Sequence, residues 1–280
     1  MLHYGKDVTG ARLVSYLGRN LDQVLVGHFA GPGVLGLYQK ADQWAMTPFW
    51  QIYGPLLPVA VSSFSRLQDD PQRYRKYVRA TLLGLFSLTL PATALLMLTA
   101  KPIVLLLLGQ QWVDAIPMFR ILAVGAYFTA FPLAARWLFL AEGRTAEQFR
   151  WALIAAPTTM IGVAAGVRWG ALGVATGFSA ATVLLAGPGV LYCLRRSPLR
   201  PRDFRAAAWR PVVASLVAAG ALMGIRAWIR PDLSAVAQLA FDVTLYALLY
   251  VGCWVGLPDG RAESSRVLAH LRLLVPSSES

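Results

Sequence analysis

The segment TLLGLFSLTLPATALLMLTA, residues 81–100, is predominantly apolar and carries no charged side chain. A helix needs about 20 mostly apolar residues to cross the hydrocarbon core of a bilayer. This segment therefore favours a membrane-spanning helix over an element of a soluble domain.

The composition of the whole chain agrees with that interpretation. Of the 280 residues, 56% are hydrophobic and only 14% are charged, whereas soluble domains carry about 25% charged residues. The high hydrophobicity also excludes a disordered chain. The expected fold class is all-α, as a polytopic helical membrane protein.

Similar apolar segments recur along the chain. We predict eight transmembrane helices, at roughly 11–29, 36–62, 80–100, 118–140, 150–167, 171–193, 211–229 and 236–256. The apolar stretch at 101–112 is too short to span and is interrupted by Pro102. Within the sixth span, Gly173, Gly177 and Ala181 recur at four-residue spacing and would let two helices approach closely.

The formal net charge of +12 is distributed in a way that indicates topology. Most basic residues fall in the first segment, in alternate connections and in the tail, within 6–12, 66–79, 144–150, 195–210 and 261–272. Basic loops remain cytoplasmic, so both termini are expected in the cytoplasm. Because the arginines alternate with the spans and form no single patch, no nucleic-acid partner is predicted.

The first span is unusually polar for a membrane helix. Arg12, Ser15, Arg19, Asp22 and Gln23 recur at spacings of three and four and share one helix face. Each mid-span Arg or Asp costs about 2.5–3.5 kcal/mol on insertion scales. Either this face lines a cavity that contacts a polar solute, or Arg19 and Asp22 form an internal ion pair.

The second span opens on another polar face. Three side chains share it: Gln39, Asp42 and Gln43. These residues and Lys40 lie near the end of the span, so anchoring at the interface is an alternative use. The same alternative applies to Arg136, near one end of the fourth span.

The sequence offers no pattern for catalysis or metal binding. It contains no GxSxG, HExxH or P-loop motif. The cysteines, Cys193 and Cys253, lie inside apolar runs, so no disulfide framework is implied. No cofactor, no metal site and no enzymatic activity are predicted.

Four motifs in a fixed order carry a family resemblance. They are NLDQVLVGHFAGPGVLGLYQKADQ at 20–43, SSFSRLQDDPQRYR at 62–75, KPIVLLLLGQQWVDAIPMFRILA at 101–123 and LAEGR at 140–144. Together they resemble the oligosaccharide flippases, the polysaccharide-transporter branch of the multidrug/oligosaccharidyl-lipid/polysaccharide exporter superfamily. The resemblance covers the first 145 residues.

The resemblance implies a 14-helix transporter of two six-helix bundles plus two extra helices. This chain would hold the second bundle at 1–194, a basic cytoplasmic loop at 195–210, two additional transmembrane helices at 211–257 and a cytoplasmic tail at 258–280. The first bundle would be absent. The implied partner is a missing N-terminal half or a second chain.

The function implied is an alternating-access flippase that moves lipid-linked oligosaccharide across the inner membrane for polysaccharide or lipopolysaccharide biosynthesis. Its partners would be that substrate and membrane lipids. A cationic cavity lining would suit pyrophosphate, which Arg binds bidentately. The substrate-binding residues expected on this basis are Arg19, Asn20, Asp22, Gln23, Lys40, Asp42 and Arg136.

Other functions remain open from the sequence. A multidrug or cation antiporter of the same superfamily would need a membrane carboxylate, for which Asp22 is the strongest mid-span candidate. The chain could also be a non-functional fragment. A membrane-embedded glycosyl- or acyltransferase is disfavoured because the connections are short and rich in Arg.

Overall fold

A computed structural model describes residues 2–228 and 234–257, with side chains described from Asp22 onward. The chain there is organised as helices, and two short 3-10 turns, Gln110–Trp112 and Val167–Trp169, precede α4 and α6. The helices are α1 (Leu2–Arg66), α2 (Pro71–Leu98), α3 (Ala100–Leu107), α4 (Ala115–Ala141), α5 (Thr145–Gly166), α6 (Gly170–Leu194), α7 (Pro201–Trp228) and α8 (Ala235–Gly256).

Helix α1 is a hairpin and not a single rod. At Gly31 the backbone leaves the helical region, with φ 84° and ψ 168°. The Tyr38 hydroxyl donates a hydrogen bond to Asp22 Oδ2 at 2.7 Å, although 16 residues of straight helix would separate them by about 24 Å. The first arm, 2–30, and the second arm, 32–66, are therefore antiparallel.

Five helical segments among the described residues are long and apolar enough to cross a membrane. They are Pro71–Leu98, Ala115–Ala141, Thr145–Leu194, Pro201–Trp228 and Ala235–Gly256. The third contains both α5 and α6, and neither arm of α1 is among them. The prediction of an all-α polytopic membrane protein is confirmed, whereas the count of eight crossings stays a prediction.

Helices α5 and α6 pack with their backbones in direct contact. A Cβ atom built on Gly177 would lie 2.0 Å from the carbonyl oxygen of Gly162, and one on Gly166 would lie 2.1 Å from that of Gly173. Only glycine fits such distances. The expected close approach of two helices at the small residues of the sixth span is confirmed.

A cluster of polar side chains links several helices at one end of the bundle. Glu142 Oε1 accepts hydrogen bonds of 2.5 Å from both Tyr74 and Ser197, and Glu142 Oε2 lies 2.9 Å from Arg144 Nε. Arg144 also donates to the Cys193 carbonyl at 2.6 Å. Burial acts against the charge of Arg144, but the contact with Cys193 and the carboxylate of Glu142 outweigh it and raise the pKa. We call these residues the Glu142 cluster.

A second charged contact lies at the far end of α2. Arg226 Nε donates to Asp242 Oδ1 at 2.8 Å, and Arg226 Nη1 donates to the Leu98 carbonyl at 2.9 Å. Asp242 is buried, so α7 and α8 are joined to the C-terminal end of α2 through a paired and hydrogen-bonded charge.

Helix α7 begins earlier than the apolar pattern indicates. It starts at Pro201, so the basic segment expected as a loop at 195–210 is helical over its last part. Proline is favoured at the first helical position because the N–H it lacks would have no partner there. The predicted tail, 258–280, lies outside the described residues.

Candidate functional site

The two arms of α1 line an open polar cavity of about 490 Å³. The described part of its wall combines one residue of the first arm with seven of the second: Gln23, Gln39, Asp42, Gln43, Met46, Thr47, Trp50 and Gln51. We call it the hairpin cavity. Every described lining residue belongs to α1, and none of the described side chains of α2–α8 takes part in this wall.

Helical periodicity explains why the lining is polar. Gln39, Gln43, Thr47 and Gln51 are four residues apart and share one face of the second arm. The other face is apolar and buried, with Ala41, Ala45, Phe49 and Tyr53. The apolar face packs into the protein and leaves the amide-rich face at the cavity.

Gln39 extends the polar surface across the two arms. Its Nε2 donates to Gln23 Oε1 at 3.1 Å. Each glutamine amide offers two N–H donors and one carbonyl acceptor, so the cavity can hydrogen-bond hydroxyl groups in either direction. Trp50, with 37% of its surface exposed, adds a flat apolar face beside these amides.

Asp22 sits behind the wall of the cavity. Only 2% of its surface is exposed, and it is not a lining residue. It accepts hydrogen bonds from Tyr38 at 2.7 Å and from the Gln23 N–H at 2.8 Å. In this structure Asp22 holds the two arms together.

The structure brings together some of the residues predicted for a site. Gln23 and Asp42 line the hairpin cavity, and Asp22 lies directly behind it. The side chains of Arg19 and Asn20 lie outside the described residues. Among the residues described there, the only charged side chain of the lining is the carboxylate of Asp42. Of the basic residues expected in a cationic lining, the side chain of Arg19 is outside the described part, and Lys40 and Arg136 are not in the wall.

Two other predicted residues lie apart from the cavity. Lys40 is exposed and is not part of the wall. Arg136, on α4, lies beside Tyr53 on the buried face of the second arm. The structure therefore does not group either of them with Gln23 and Asp42.

Four lining residues were missed from the sequence. They are Met46, Thr47, Trp50 and Gln51. Continuing the four-residue spacing of Gln39 and Gln43 leads directly to Thr47 and Gln51, so the signal was present. The apolar side chains of Met46 and Trp50 interrupt the polarity of this face and obscure the pattern.

Comparisons with known proteins agree with the family resemblance. A family profile described as "Polysaccharide biosynthesis protein" matches residues 1–117. Lipopolysaccharide biosynthesis protein WzxC of Escherichia coli (strain K12) is 26% identical over 181 residues, 63% of this chain and 36% of WzxC. Teichuronic acid biosynthesis protein TuaB of Bacillus subtilis (strain 168) is 26% identical over 148 residues, 53% of this chain and 31% of TuaB.

Solved structures agree with the fold. The lipid II flippase MurJ in an inward closed conformation superposes with a TM-score of 0.66 at 17% identity, covering 94% of this chain and 53% of MurJ. An outward-facing multidrug resistance transporter of the MATE family gives 0.56 at 13% identity, covering 97% of this chain and 70% of that one.

The matches cover about a third of WzxC and TuaB and about half of MurJ. The chain thus spans only part of the length of the proteins it resembles. Within that part, the sequence matches confirm the resemblance to polysaccharide-transporter proteins, the solved structures share the fold, and the chain is a multi-pass membrane protein.

Proposed function

We propose that this chain forms part of a flippase that moves lipid-linked oligosaccharide across the bacterial inner membrane by alternating access, for polysaccharide or lipopolysaccharide biosynthesis. The observation that carries the proposal is the hairpin cavity, a polar pocket in a protein made of apolar helices. The sequence similarity to WzxC and TuaB and the similarity in fold to MurJ support it.

The lining suits a sugar. Hydroxyl groups donate and accept hydrogen bonds, and the amides of Gln23, Gln39, Gln43 and Gln51 can serve both roles. The exposed ring of Trp50 would cover the apolar face of a sugar ring. Transport of this kind requires binding and reorientation and no covalent step, so the site residues would act in binding alone.

A second lobe would complete the binding site. All described walls of the cavity come from α1, so a substrate held there would be enclosed on one side only. We infer that the facing wall is provided by a further segment or by a second chain. The partial coverage of MurJ, in which this chain matches 53% of the length, supports that inference.

The orientation we propose places both termini in the cytoplasm. The basic segments at 66–79, 144–150 and 195–210 would face the cytoplasm with the Glu142 cluster. That cluster joins the connections α1–α2, α4–α5 and α6–α7, so these three connections lie at one end of the bundle.

The proposal is tested by restoring polymer export in a flippase-deficient strain. The variant Gln39→Leu/Gln43→Leu removes two amides from the cavity in the transporter that contains this chain. Loss of two hydrogen bonds, each contributing about 1 kcal/mol, should lower export roughly thirtyfold. Membrane levels should be unchanged.

The matched control is Gln110→Leu/Gln111→Leu, which alters two exposed glutamines outside the cavity in the turn before α4. This control should export normally. Equal export by the two double variants would remove the hairpin cavity from the transport path.

A cation-coupled antiporter is the second candidate, favoured by the buried carboxylate of Asp22. If the chain belongs to such an antiporter, Asp22→Asn should abolish proton- or sodium-dependent export of a cationic drug. If it belongs to a flippase, drug resistance should be the same with and without the chain, and only polymer export should respond to it.

A further inference from the structure

A second cavity, of about 620 Å³, lies between α4, α6 and α7 and shares no residue with the hairpin cavity. Its walls include Phe128 and Phe131 of α4, and Val183 and Leu191 of α6. The volume is in the range of ligand pockets. We call it the α6–α7 groove.

The α6–α7 groove opens toward the outer surface of the bundle. Leu191, one of its walls, has 55% of its surface exposed, and the neighbouring Leu184 has 70%. In a multi-pass membrane protein, apolar side chains with such exposure face lipid chains or another protein. The groove is therefore accessible from the side.

The length of the groove matches one leaflet. Along α6 it extends from Val183 to Leu194, which is about 16 Å at 1.5 Å per residue. One leaflet contributes about half of the 30 Å hydrocarbon core. An acyl chain that lay along the groove would run from the middle of the bilayer to its surface.

Two arginines stand at the end of the groove where α7 begins. Arg202 and Arg205 are three residues apart, share one face of α7 and are exposed. Neither forms an ion pair with an acidic residue in the part of the chain that the structure describes. Two guanidinium groups beside an apolar channel complement a phosphate attached to an acyl chain.

We propose that the α6–α7 groove binds an anionic phospholipid of the leaflet that faces the Glu142 cluster. One acyl chain lies along Phe128, Val183 and Leu191, and the phosphate headgroup pairs with Arg202 and Arg205. The lipid is a bound component of the bundle and not the transported substrate, so the proposal is independent of the function assigned to the hairpin cavity.

The test is native mass spectrometry of the detergent-purified chain titrated with dioleoyl phosphatidylglycerol or with dioleoyl phosphatidylcholine. The wild-type chain should retain phosphatidylglycerol in preference to phosphatidylcholine. Each arginine near a lipid phosphate contributes about fivefold. The variant Arg202→Gln/Arg205→Gln should therefore weaken phosphatidylglycerol binding about thirtyfold.

The charge-matched control is Arg195→Gln/Arg200→Gln, which removes two exposed arginines from the α6–α7 connection outside the groove. This variant should bind phosphatidylglycerol like the wild type. Equal weakening in both double variants would show a diffuse effect of charge and would overturn the proposal, as would equal retention of the two phospholipids.

A second pair of variants tests whether an acyl chain lies in the α6–α7 groove. Leu191→Trp fills the groove, whereas Leu184→Trp makes the same change at an exposed leucine of α6 outside it. Leu191→Trp should reduce phosphatidylglycerol binding by tenfold or more, with the protein still monodisperse, and Leu184→Trp should not. Identical binding by both tryptophan variants would exclude the groove as the lipid site.

Discussion

Asp22 shows how a single polar residue can define the local fold of a membrane protein. Its carboxyl group is buried, and the phenol that reaches it belongs to the other arm of α1. A buried acid without hydrogen bonds would cost several kcal/mol, so the pairing with Tyr38 ties the two arms in one register.

Replacing Tyr38 with Phe should destabilise the protein. The change leaves the ring in place but removes the hydroxyl that donates to Asp22, and a hydrogen bond to a charged group contributes about 1.5–3 kcal/mol. We expect a loss of that size in the free energy of unfolding in detergent, measured by denaturant titration. Tyr192→Phe is the control, because the Tyr192 ring stacks on Trp151 and its hydroxyl has no hydrogen-bond partner among the described residues. If both variants unfold alike, the Asp22 contact does not hold the hairpin.

At the scale of elements, the packing of α5 against α6 depends on glycines, which have no side chain to hold the helices apart. The two helices meet at Gly162, Gly166, Gly173 and Gly177, where a Cβ atom on one would overlap the backbone of the other. Without water to drive association, such helices are held by van der Waals contact between closely spaced backbones.

Gly177→Ala should push these two helices apart. The added methyl group would lie 2.0 Å from the Gly162 carbonyl oxygen, so the two atoms must separate by about 1 Å or more to avoid overlap. Overpacking of this kind costs about 1–3 kcal/mol of stability. Thermal unfolding followed by circular dichroism should show a lower midpoint.

The control for Gly177→Ala is Gly220→Ala, at a helical glycine of α7 with open space around it. There alanine should be neutral or stabilising by up to about 1 kcal/mol. A Gly177→Ala protein as stable as wild type would mean that α5 and α6 can separate without cost.

The helices could be located from the sequence, but not their ends or their contacts. The span predicted at 80–100 lies in α2 up to Leu98. That helix begins earlier, at Pro71, because the Asp70 side chain caps it by accepting hydrogen bonds from the N–H groups of Gln72 and Arg73. The length of an apolar segment indicates the part of a helix that lies in lipid. The helix itself can continue through charged turns outside the membrane until a capping residue ends it.

Only part of the hairpin cavity could be predicted from the sequence, for a related reason. Helical spacing correctly grouped Gln39, Asp42 and Gln43 on one face. That this face meets Gln23 depends on the turn at Gly31, whose non-helical backbone is followed by Pro32. A glycine before a proline indicates a break, but the angle between the two arms depends on packing with the rest of the bundle.

At the scale of the whole molecule, different charged groups link the helices at the two ends of the bundle. The Glu142 cluster joins the connections at one end. The contact of Arg226 with Asp242 and Leu98 joins α2, α7 and α8 at the other. Connections therefore alternate between two ends, as a membrane topology requires.

Reporter fusions should reproduce this alternation. Alkaline phosphatase, which is active only outside the cytoplasm, should be inactive when fused after residues 72, 145 or 203 and active after residues 110 or 169. The first three positions lie near the Glu142 cluster, and a cytoplasmic location of that end is the orientation we propose from the positive-inside bias. High phosphatase activity at residue 72 together with low activity at 110 would reverse the orientation.

Among the described side chains, those that line the hairpin cavity all come from residues 23–51. Most binding pockets collect their residues from distant parts of a chain, so altering their chemistry requires coordinated changes. Here a single stretch of the gene encodes the whole described wall, behind which the buried side chains of Phe49 and Tyr53 provide an apolar backing. Recombination of that one stretch between relatives would exchange the lining of the cavity and leave the supporting bundle intact, so the hairpin can change as a unit independently of the other helices.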